Sequence, residues 1–241
     1  MQRRLLGICG PNGSGKSTAY EQFRRSGQLR DYRWVNADEL LVELRSATDV
    51  PLARFGLNET TAASFNALVE DHAITRLRQA KGQMISLYAF GAPAAIRIDA
   101  EATAYEAAIA TAVIRDCLIA EGRSFAFETV MSHPSKVELF AEATAEGYAT
   151  QLIFVCTDDP EINVRRVAKR VAAGGHDVPE DKIRSRYHSA LALLPAAIAA
   201  CDYVTLLDTT GEAPQLVATM KHGTWKTHAP TPNWAATLLL K

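Results

Sequence analysis

The chain has 241 residues, of which 48% are hydrophobic and 22% are charged, close to the average for folded globular proteins. That balance excludes disorder as the main state, and no apolar run approaches the roughly 18 to 20 residues that a membrane span needs. The 26 basic and 27 acidic side chains nearly cancel, so the protein as a whole does not attract nucleic acid electrostatically.

The N-terminal segment begins like a signal peptide, with two arginines ahead of an apolar run. The sequence Gly-Pro-Asn-Gly follows at once and interrupts the apolar region that a signal peptide needs. We therefore expect a cytoplasmic protein that has no membrane span. The four cysteines lie far apart and lack the spacing of a zinc site, which indicates buried free thiols.

Apolar runs of strand length alternate along the chain with amphipathic helical patterns. The predicted strands lie within residues 5–10, 32–40, 124–129, 151–157 and 202–210. The predicted helices lie within residues 16–26, 105–117, 159–173 and 179–194. This alternation predicts an α/β protein, with a three-layer α/β/α arrangement around a mainly parallel sheet of about five strands.

Two regions depart from that alternation. Residues 50–100 are predicted to form a helical insertion between the second and third strands, with one helix around 59–81. Residues 215–241 are predicted to form an irregular wrap over the sheet edge. Because the sequence shows neither an internal repeat nor a low-complexity linker, we expect a single domain over 1–241.

The strongest motif follows the first strand and fits GxxxxGK[ST] at every fixed position. Backbone N–H groups of such a loop, together with the N-terminus of the next helix, bind phosphate oxygens. Lys16 is expected to reach the β- and γ-phosphates of ATP, and the Ser17 hydroxyl to bind Mg²⁺. The predicted nucleotide-binding residues, called the phosphate loop below, are Gly10, Pro11, Asn12, Gly13, Ser14, Gly15, Lys16, Ser17 and Thr18.

Transporter-type ATPases carry a similar loop, but other features of this chain argue against that class. The sequence has no SGGQ signature. An acidic pair, Asp158 and Asp159, follows an apolar strand, yet Pro160 and a helix come directly after it. That order predicts a helix N-cap and not a site that activates water.

A kinase needs an acidic base for the acceptor hydroxyl, and Asp38 is the first candidate. It follows the second predicted strand, at the carboxyl edge of the sheet, where open α/β sheets bind their ligands. A helix N-cap is the alternative role, because Asp is common there. Glu39 could replace it as the base, although its side chain should point elsewhere.

Glu128 and Thr129 end the third predicted strand, after the apolar run Phe125-Ala-Phe. A carboxylate at the end of a buried strand is costly unless it has a partner. A structural ion pair and a contact to substrate explain Glu128 equally well.

The polar face of the helix over 159–173 carries four cations. Arg166 and Arg170 are one turn apart and could bind the same phosphate, although a solvated face is the alternative. Two glycines and His176 follow directly, which suits a small lid that closes on ATP. His176 either adds a donor to that lid or caps the next helix.

Taken together, these motifs resemble the zeta toxin family of P-loop kinases, in particular its bacterial zeta-toxin-like branch. The resemblance covers most of the chain outside 50–100 and the C-terminal segment. The matching segments are GPNGSGKST (10–18), VNADEL (35–40), SFAFETVMSHPSK (124–136), EGY (146–148), TDDPEINVRRVAKRVAAGGHDVPEDKIRSRY (157–187) and LLDTTGEAP (206–214).

The resemblance implies a P-loop kinase fold with a site for ATP and Mg²⁺. In well-studied members it implies phosphorylation of the sugar 3′-hydroxyl of UDP-N-acetylglucosamine. It assigns the base to Asp38, acceptor binding to Glu128 with Thr129, and the charge on the transferred phosphoryl group to Arg170 and Arg166.

This chain departs from the family pattern at three places. His176 stands where toxin members have a second lid arginine. After Arg186-Tyr187 the family often continues with Arg-Ser-Leu, whereas this chain has His188-Ser189-Ala190 and so lacks one cation. Asp-Thr-Thr-Gly replaces the more usual Asp-Asn-Ser-Gly in the segment of the last predicted strand.

The leading hypothesis is therefore a kinase that phosphorylates a small-molecule hydroxyl. A polynucleotide 5′-hydroxyl kinase shares the loop, base and lid, but it needs a basic groove that the near-neutral charge disfavours. A nucleotide-dependent switch or toxin controlled by an antitoxin-like protein partner is the alternative from another class.

Overall fold

The computed structural model describes residues 2–46, 49–99, 101–175 and 177–239. Contacts within the chain group it into two units. Unit 1 comprises Met1–Asp31 and Ala126–Lys241, and unit 2 comprises Tyr32–Phe125.

The strands and helices alternate along much of the chain, as predicted. The strands are β1 (Arg4–Cys9), β2 (Arg33–Val35), β3 (Val50–Pro51), β4 (Leu87–Phe90), β5 (Ala95–Ile98), β6 (Phe125–Thr129), β7 (Ala149–Cys156), β8 (Tyr203–Asp208), β9 (Gln215–Lys221) and β10 (Thr224–Thr227). The helices are α1 (Lys16–Arg25), α2 (Ala37–Ser46), α3 (Thr61–Asp71), α4 (Ala73–Gln79), α5 (Ala104–Ala120), α6 (Ser135–Ala145), α7 (Pro160–Ala172), α8 (Glu180–Ala199) and α9 (Asn233–Leu239), with a short 3-10 helix at Leu52–Phe55.

The main sheet has seven strands in the order β10-β9-β8-β7-β1-β6-β2. β1 pairs with β7, and β7 with β8, in parallel, whereas β9 pairs antiparallel with both β8 and β10. The prediction of an α/β fold with a mainly parallel sheet is thus confirmed. The five predicted strands are β1, β2, β6, β7 and β8.

The two additional strands correct the prediction of an irregular C-terminal wrap. β9 and β10 form a hairpin whose turn is His222-Gly223, both residues with positive φ (45° and 80°). Positive φ at both central positions is the turn geometry that matches the twist of paired strands, and Asn-Gly is its usual sequence signal. His-Gly is a weaker signal, which is why the hairpin is missed from sequence.

Unit 1 has a buried apolar core along its parallel strands. Leu5 and Ile8 of β1 and Phe154 of β7 are fully buried. Near-continuous apolar strands of this kind are typical of parallel sheets. The four cysteines are buried thiols that form no disulfide among the described residues, as the sequence indicates.

Unit 2 is less helical than predicted, because a three-stranded antiparallel sheet, in the order β3-β5-β4, lies within it. The single helix expected around 59–81 is two helices. His72 breaks it with extended backbone (ψ 136°), and its Nδ1 accepts the N–H of Ile74 at 3.2 Å to cap α4. No helix among the described residues is long and apolar enough to cross a membrane.

Candidate nucleotide site

The phosphate loop connects β1 to α1, and its backbone conformation requires glycine. Gly10, Gly13 and Gly15 have φ values of 148°, 75° and 90°. A Cβ on Gly10 would lie 2.0 Å from the carbonyl oxygen of Val155, and one on Gly13 would lie 2.6 Å from that of Asn163. Gly15 precedes α1 and has no side chain to cap it, so the first N–H groups of the helix suit an anion.

Three residues outside the motif hold this loop in place. The side-chain amide of Asn163 donates to the Asn12 carbonyl at 2.7 Å, and its own oxygen accepts from Thr157. The Thr209 hydroxyl donates to the Ser14 carbonyl at 2.7 Å. The third is Arg186 of α8.

Arg186 donates from Nη1 to the side-chain oxygen of Asn12 at 3.4 Å. Sequence reasoning assigned no role to Arg186, Asn163 or Thr209. Each of these residues has a weak local signal in the sequence. Asn163 is a polar residue beside the apolar stripe of α7, Thr209 belongs to the Asp-Thr-Thr-Gly segment at the end of β8, and Arg186 belongs to the Ile-Arg-Ser-Arg-Tyr run of α8.

Lys16, Ser17 and Glu128 come together at the mouth of the loop. The Lys16 side chain is only 7% exposed; its Nζ donates to the Pro11 carbonyl at 2.9 Å and lies 3.8 Å from Glu128 Oε1. The Ser17 hydroxyl donates to Glu128 Oε2 at 3.4 Å. The strand end is joined to the loop as well, since the Thr129 carbonyl accepts the N–H of Gly10 at 3.3 Å.

This cluster fits the groups that the motif implies. A buried ammonium beside open backbone N–H groups is suited to phosphate oxygens. A carboxylate next to a hydroxyl provides the oxygen ligands that Mg²⁺ prefers. Glu128 is thus in contact with the phosphate loop itself, which the sequence left undecided between an ion pair and a substrate contact.

The two arginines predicted for the phosphoryl group have different surroundings. Arg166 is half-buried and donates through Nη2 to the carbonyls of Thr209 (2.6 Å) and Gly211 (3.3 Å). Arg170 is exposed on the last turn of α7, where Gly175 approaches it so closely that a Cβ would lie 2.6 Å from Arg170 Cγ. His176, the remaining predicted lid residue, lies outside the described residues.

α7 and α8, which flank the predicted lid segment, are tied together by Arg184. Its Nε donates to Glu161 at 2.7 Å, and Nη2 lies 2.9 Å from Glu180. Hydrogen bonding from Arg184 lowers the pKa of Glu161, and the two carboxylates, Glu161 first, raise the pKa of Arg184. Val178, which lies between the two helices, packs in an apolar cluster with Val164, Val167, Val171 and Ile183.

The acidic pair after β7, Asp158 and Asp159, accepts hydrogen bonds at the starts of two helices. The sequence predicts an N-cap here and not the water-activating site of a transporter ATPase. Asp159 is the N-cap of α7, and its carboxylate accepts the N–H of Glu161 at 2.8 Å. Asp158 accepts from Asn233 and Trp234 at the start of α9.

Asp38 belongs to unit 2, in the first turn of α2. It does not cap that helix, because Asn36 Oδ1 accepts the N–H groups of Asp38 (2.8 Å) and Glu39 (3.2 Å). Glu39 is engaged with Trp34 Nε1 at 2.9 Å and with Arg54 at 3.8 Å. The Asp38 side chain is exposed and makes no hydrogen bond or ion pair with the described residues.

Solved structures with a similar fold include chains of the AvrRxo1-ORF1:AvrRxo1-ORF2 complex. One crystallised with sulphate ions has a TM-score of 0.59 at 13% identity, and one crystallised with ATP has 0.58 at 15% identity. The match covers 94% of this chain but spans only about three fifths (61% and 60%) of the AvrRxo1 chains. Identities this low show the fold alone.

A structure of the PezAT toxin–antitoxin system of Streptococcus pneumoniae matches more weakly. Its TM-score is 0.46 at 12% identity, over 86% of this chain and 68% of that one.

A comparison with curated protein sequences finds no match. The AAA domain family AAA_33 matches residues 5–190, which include the phosphate loop, Glu128, all of α7 and the first half of α8. The chain therefore belongs to the AAA domain family AAA_33, a family of P-loop proteins.

Proposed function

We propose that this protein is an ATP-dependent kinase that transfers the γ-phosphate to a hydroxyl of a small molecule, with UDP-N-acetylglucosamine as the first candidate acceptor. The cluster of Lys16, Ser17 and Glu128 at the phosphate loop carries the proposal. A similar structure crystallised with ATP supports that choice of nucleotide. The resemblance to zeta toxins supports the acceptor class.

The phosphate loop would bind the nucleotide through its N–H groups, with Lys16 on the β- and γ-phosphates. Ser17 and Glu128 would hold Mg²⁺, which when bound neutralises charge on the phosphates. When the nucleotide binds, the Lys16 ammonium would give up its hydrogen bond to the Pro11 carbonyl (2.9 Å) and donate to a phosphate oxygen instead.

Asp38 would act as the general base. It takes the proton of the acceptor hydroxyl as that oxygen bonds to the γ-phosphorus, while the bond from phosphorus to the β–γ bridging oxygen breaks and ADP leaves. Two observations support this role: the carboxylate is exposed, and Asn36 and not Asp38 caps the helix. Glu39 is a poorer candidate because Trp34 and Arg54 already engage it.

Arg170 is the better candidate for the charge on the transferred phosphoryl group. It lies on the last turn of α7, directly before the glycines of the predicted lid, and its side chain is exposed to solvent, whereas Arg166 is half-buried against the segment after β8. We propose that Arg166 chiefly fixes the segment after β8. An antitoxin-like partner, as in the PezAT system, is part of the same proposal and rests on the resemblance only.

The test is mass spectrometry of an acceptor panel after incubation with Mg²⁺ and ATP. The panel begins with UDP-N-acetylglucosamine and includes other nucleotide sugars, nucleosides and a short 5′-hydroxyl oligonucleotide. We expect one small molecule to gain a single phosphate. The Asp38→Ala variant should lower kcat by about 10²- to 10⁴-fold, the usual contribution of a general base.

Glu39→Ala is the matched control, because it removes the neighbouring carboxylate, and we expect it to retain catalysis. Phosphorylation of the oligonucleotide alone would establish the polynucleotide kinase instead. Tight ATP binding without any modified acceptor would favour the nucleotide-dependent switch.

A further inference from the structure

The C-terminal helix α9 is attached to the carboxyl ends of two strands of unit 1 by its tryptophan. Trp234 is buried, and its indole Nε1–H donates to Asp208 Oδ2, at the end of β8, at 2.8 Å. Its ring packs on Phe154 of β7, with 5.8 Å between the ring centroids. An indole that is both packed and hydrogen-bonded has a single well-defined position.

The start of α9 is held by a second carboxylate, that of Asp158. Asp158 accepts the side-chain amide of Asn233 at 2.8 Å and the backbone N–H of Trp234 at 3.2 Å. A carboxylate that accepts the first N–H groups of a helix stabilises its N-terminus.

Thr210 forms hydrogen bonds with both Asp208 and Asp158. Asp208 accepts the N–H of Thr210 at 2.9 Å and its hydroxyl at 3.0 Å. The same hydroxyl accepts the backbone N–H of Asp158 at 2.9 Å. The Asp208 carboxylate therefore accepts hydrogen bonds both from Thr210, in the segment after β8, and from Trp234 of α9.

The neighbouring residue, Thr209, continues the connection to the phosphate loop. Its hydroxyl donates to the Ser14 carbonyl at 2.7 Å, and its carbonyl accepts from Arg166 at 2.6 Å. Hydrogen bonds at Asp208 and Thr209, which are consecutive along the backbone, thus connect Trp234 to the phosphate loop and to Arg166, all within unit 1.

We propose that Trp234 is a positioning residue of the nucleotide site. By holding Asp208, it fixes residues 208–211 and through them the position of Ser14 and Arg166, so the C-terminal helix sets the affinity for nucleotide. The inference rests on the proposed nucleotide-binding function and adds a determinant that lies outside residues 5–190 of the family match.

The test compares Trp234→Phe with Trp225→Phe. Phenylalanine keeps an aromatic ring beside Phe154 but removes the indole N–H together with part of the ring volume, and Trp225→Phe controls for the same change in side-chain size. Trp225 lies on β10, where it pairs with Met220 of β9 and lines a groove of the sheet edge. The affinity for the non-hydrolysable analogue of Mg²⁺·ATP is measured by calorimetry, well below the melting temperature of each variant.

We expect Trp234→Phe to raise the Kd for nucleotide about tenfold, the factor that corresponds to 1.4 kcal/mol. Trp225→Phe should leave the Kd within about twofold of wild type. The KM for the acceptor should not change in either variant. In the double variant Trp234→Phe/Asp208→Asn, the loss should be smaller than the sum of the two single losses, since both act through one set of contacts.

Thr210→Val provides a second test if Trp234→Phe does not fold. Thr210 is exposed, and valine has the same shape without the hydroxyl, so the fold should tolerate it while the Kd for nucleotide rises. A lower melting temperature with an unchanged Kd in these variants would overturn the inference and leave Trp234 a purely structural role. If wild type itself binds no nucleotide, the proposed function fails first.

Discussion

At the scale of single residues, two serines of the phosphate loop have opposite surroundings. Ser17 is exposed and donates to Glu128, whereas Ser14 is fully buried and its hydroxyl has no hydrogen-bond partner among the described residues. The motif alone does not separate them. Their contacts predict different effects of the same substitution, serine to alanine.

Ser17→Ala should weaken the binding of ATP about tenfold in the presence of Mg²⁺ and hardly at all in its absence, a 1.4 kcal/mol loss confined to the metal complex. Ser14→Ala should bind ATP within about twofold of wild type. It should be as stable or more stable, because an unsatisfied buried hydroxyl costs about 1 to 3 kcal/mol.

Calorimetry with Mg²⁺ and with EDTA, together with urea unfolding, measures both effects. An equal loss of affinity in Ser17→Ala with and without Mg²⁺ would exclude Ser17 as a metal ligand. A large loss of stability in Ser14→Ala would mean that its hydroxyl has a partner in solution.

The residues that sequence reasoning finds and misses differ in one physical respect. The phosphate loop is a contiguous pattern, and Glu128 is recognisable as a charged residue at the end of an apolar strand. Asn163, Thr209 and Trp234 act through contacts between segments that are distant along the chain. Hydrogen bonds of that kind depend on the packed fold, so a single sequence does not encode them in a local pattern.

At the scale of elements, the ion pair between α7 and α8 depends on pH. Because hydrogen bonding from Arg184 lowers the pKa of Glu161 from its ordinary value of 4.5, the folded chain favours the ionised carboxyl. The stabilisation is therefore complete above pH 4.5 and is lost as the pH falls through the lowered pKa.

Arg184→Gln should lower the melting temperature at pH 7 by roughly 1 to 3 °C, since exposed ion pairs contribute little. The difference from wild type should shrink towards zero as the pH falls below that of the Glu161 titration. Thermal melts from pH 3 to 7 check this, with Lys169→Gln, an exposed cation of α7, as the control. A difference that stays constant over this range would show that the ion pairs of Arg184 with Glu161 and Glu180 do not account for the loss of stability.

Elements of different length were not equally predictable. The buried parallel strands and the amphipathic helices α7 and α8 have enough apolar residues to reveal their period. β4 and β5 have four residues each, and β3 has two, too few for a pattern to be distinguished from a loop. The break at His72 depends on one backbone conformation and one capping hydrogen bond, which the helical pattern on both sides conceals.

At the scale of the whole molecule, the residues proposed for the reaction belong to two different units of the chain. Unit 1 contains the phosphate loop, Glu128, the basic helix α7 and the C-terminal helix, and unit 2 contains Asp38. The fold class and the loop were predictable from sequence, whereas the acceptor has no equivalent local pattern. A test of the reaction should therefore not depend on guessing the acceptor.

Phosphorus NMR of the protein with Mg²⁺, ATP and a small-molecule extract of its source cells is that test. We predict a new phosphomonoester resonance that grows in equal amount with ADP, in wild type and not in Asp38→Ala. ADP formed with inorganic phosphate alone, or no consumption of ATP, would contradict the assignment of this protein as a kinase.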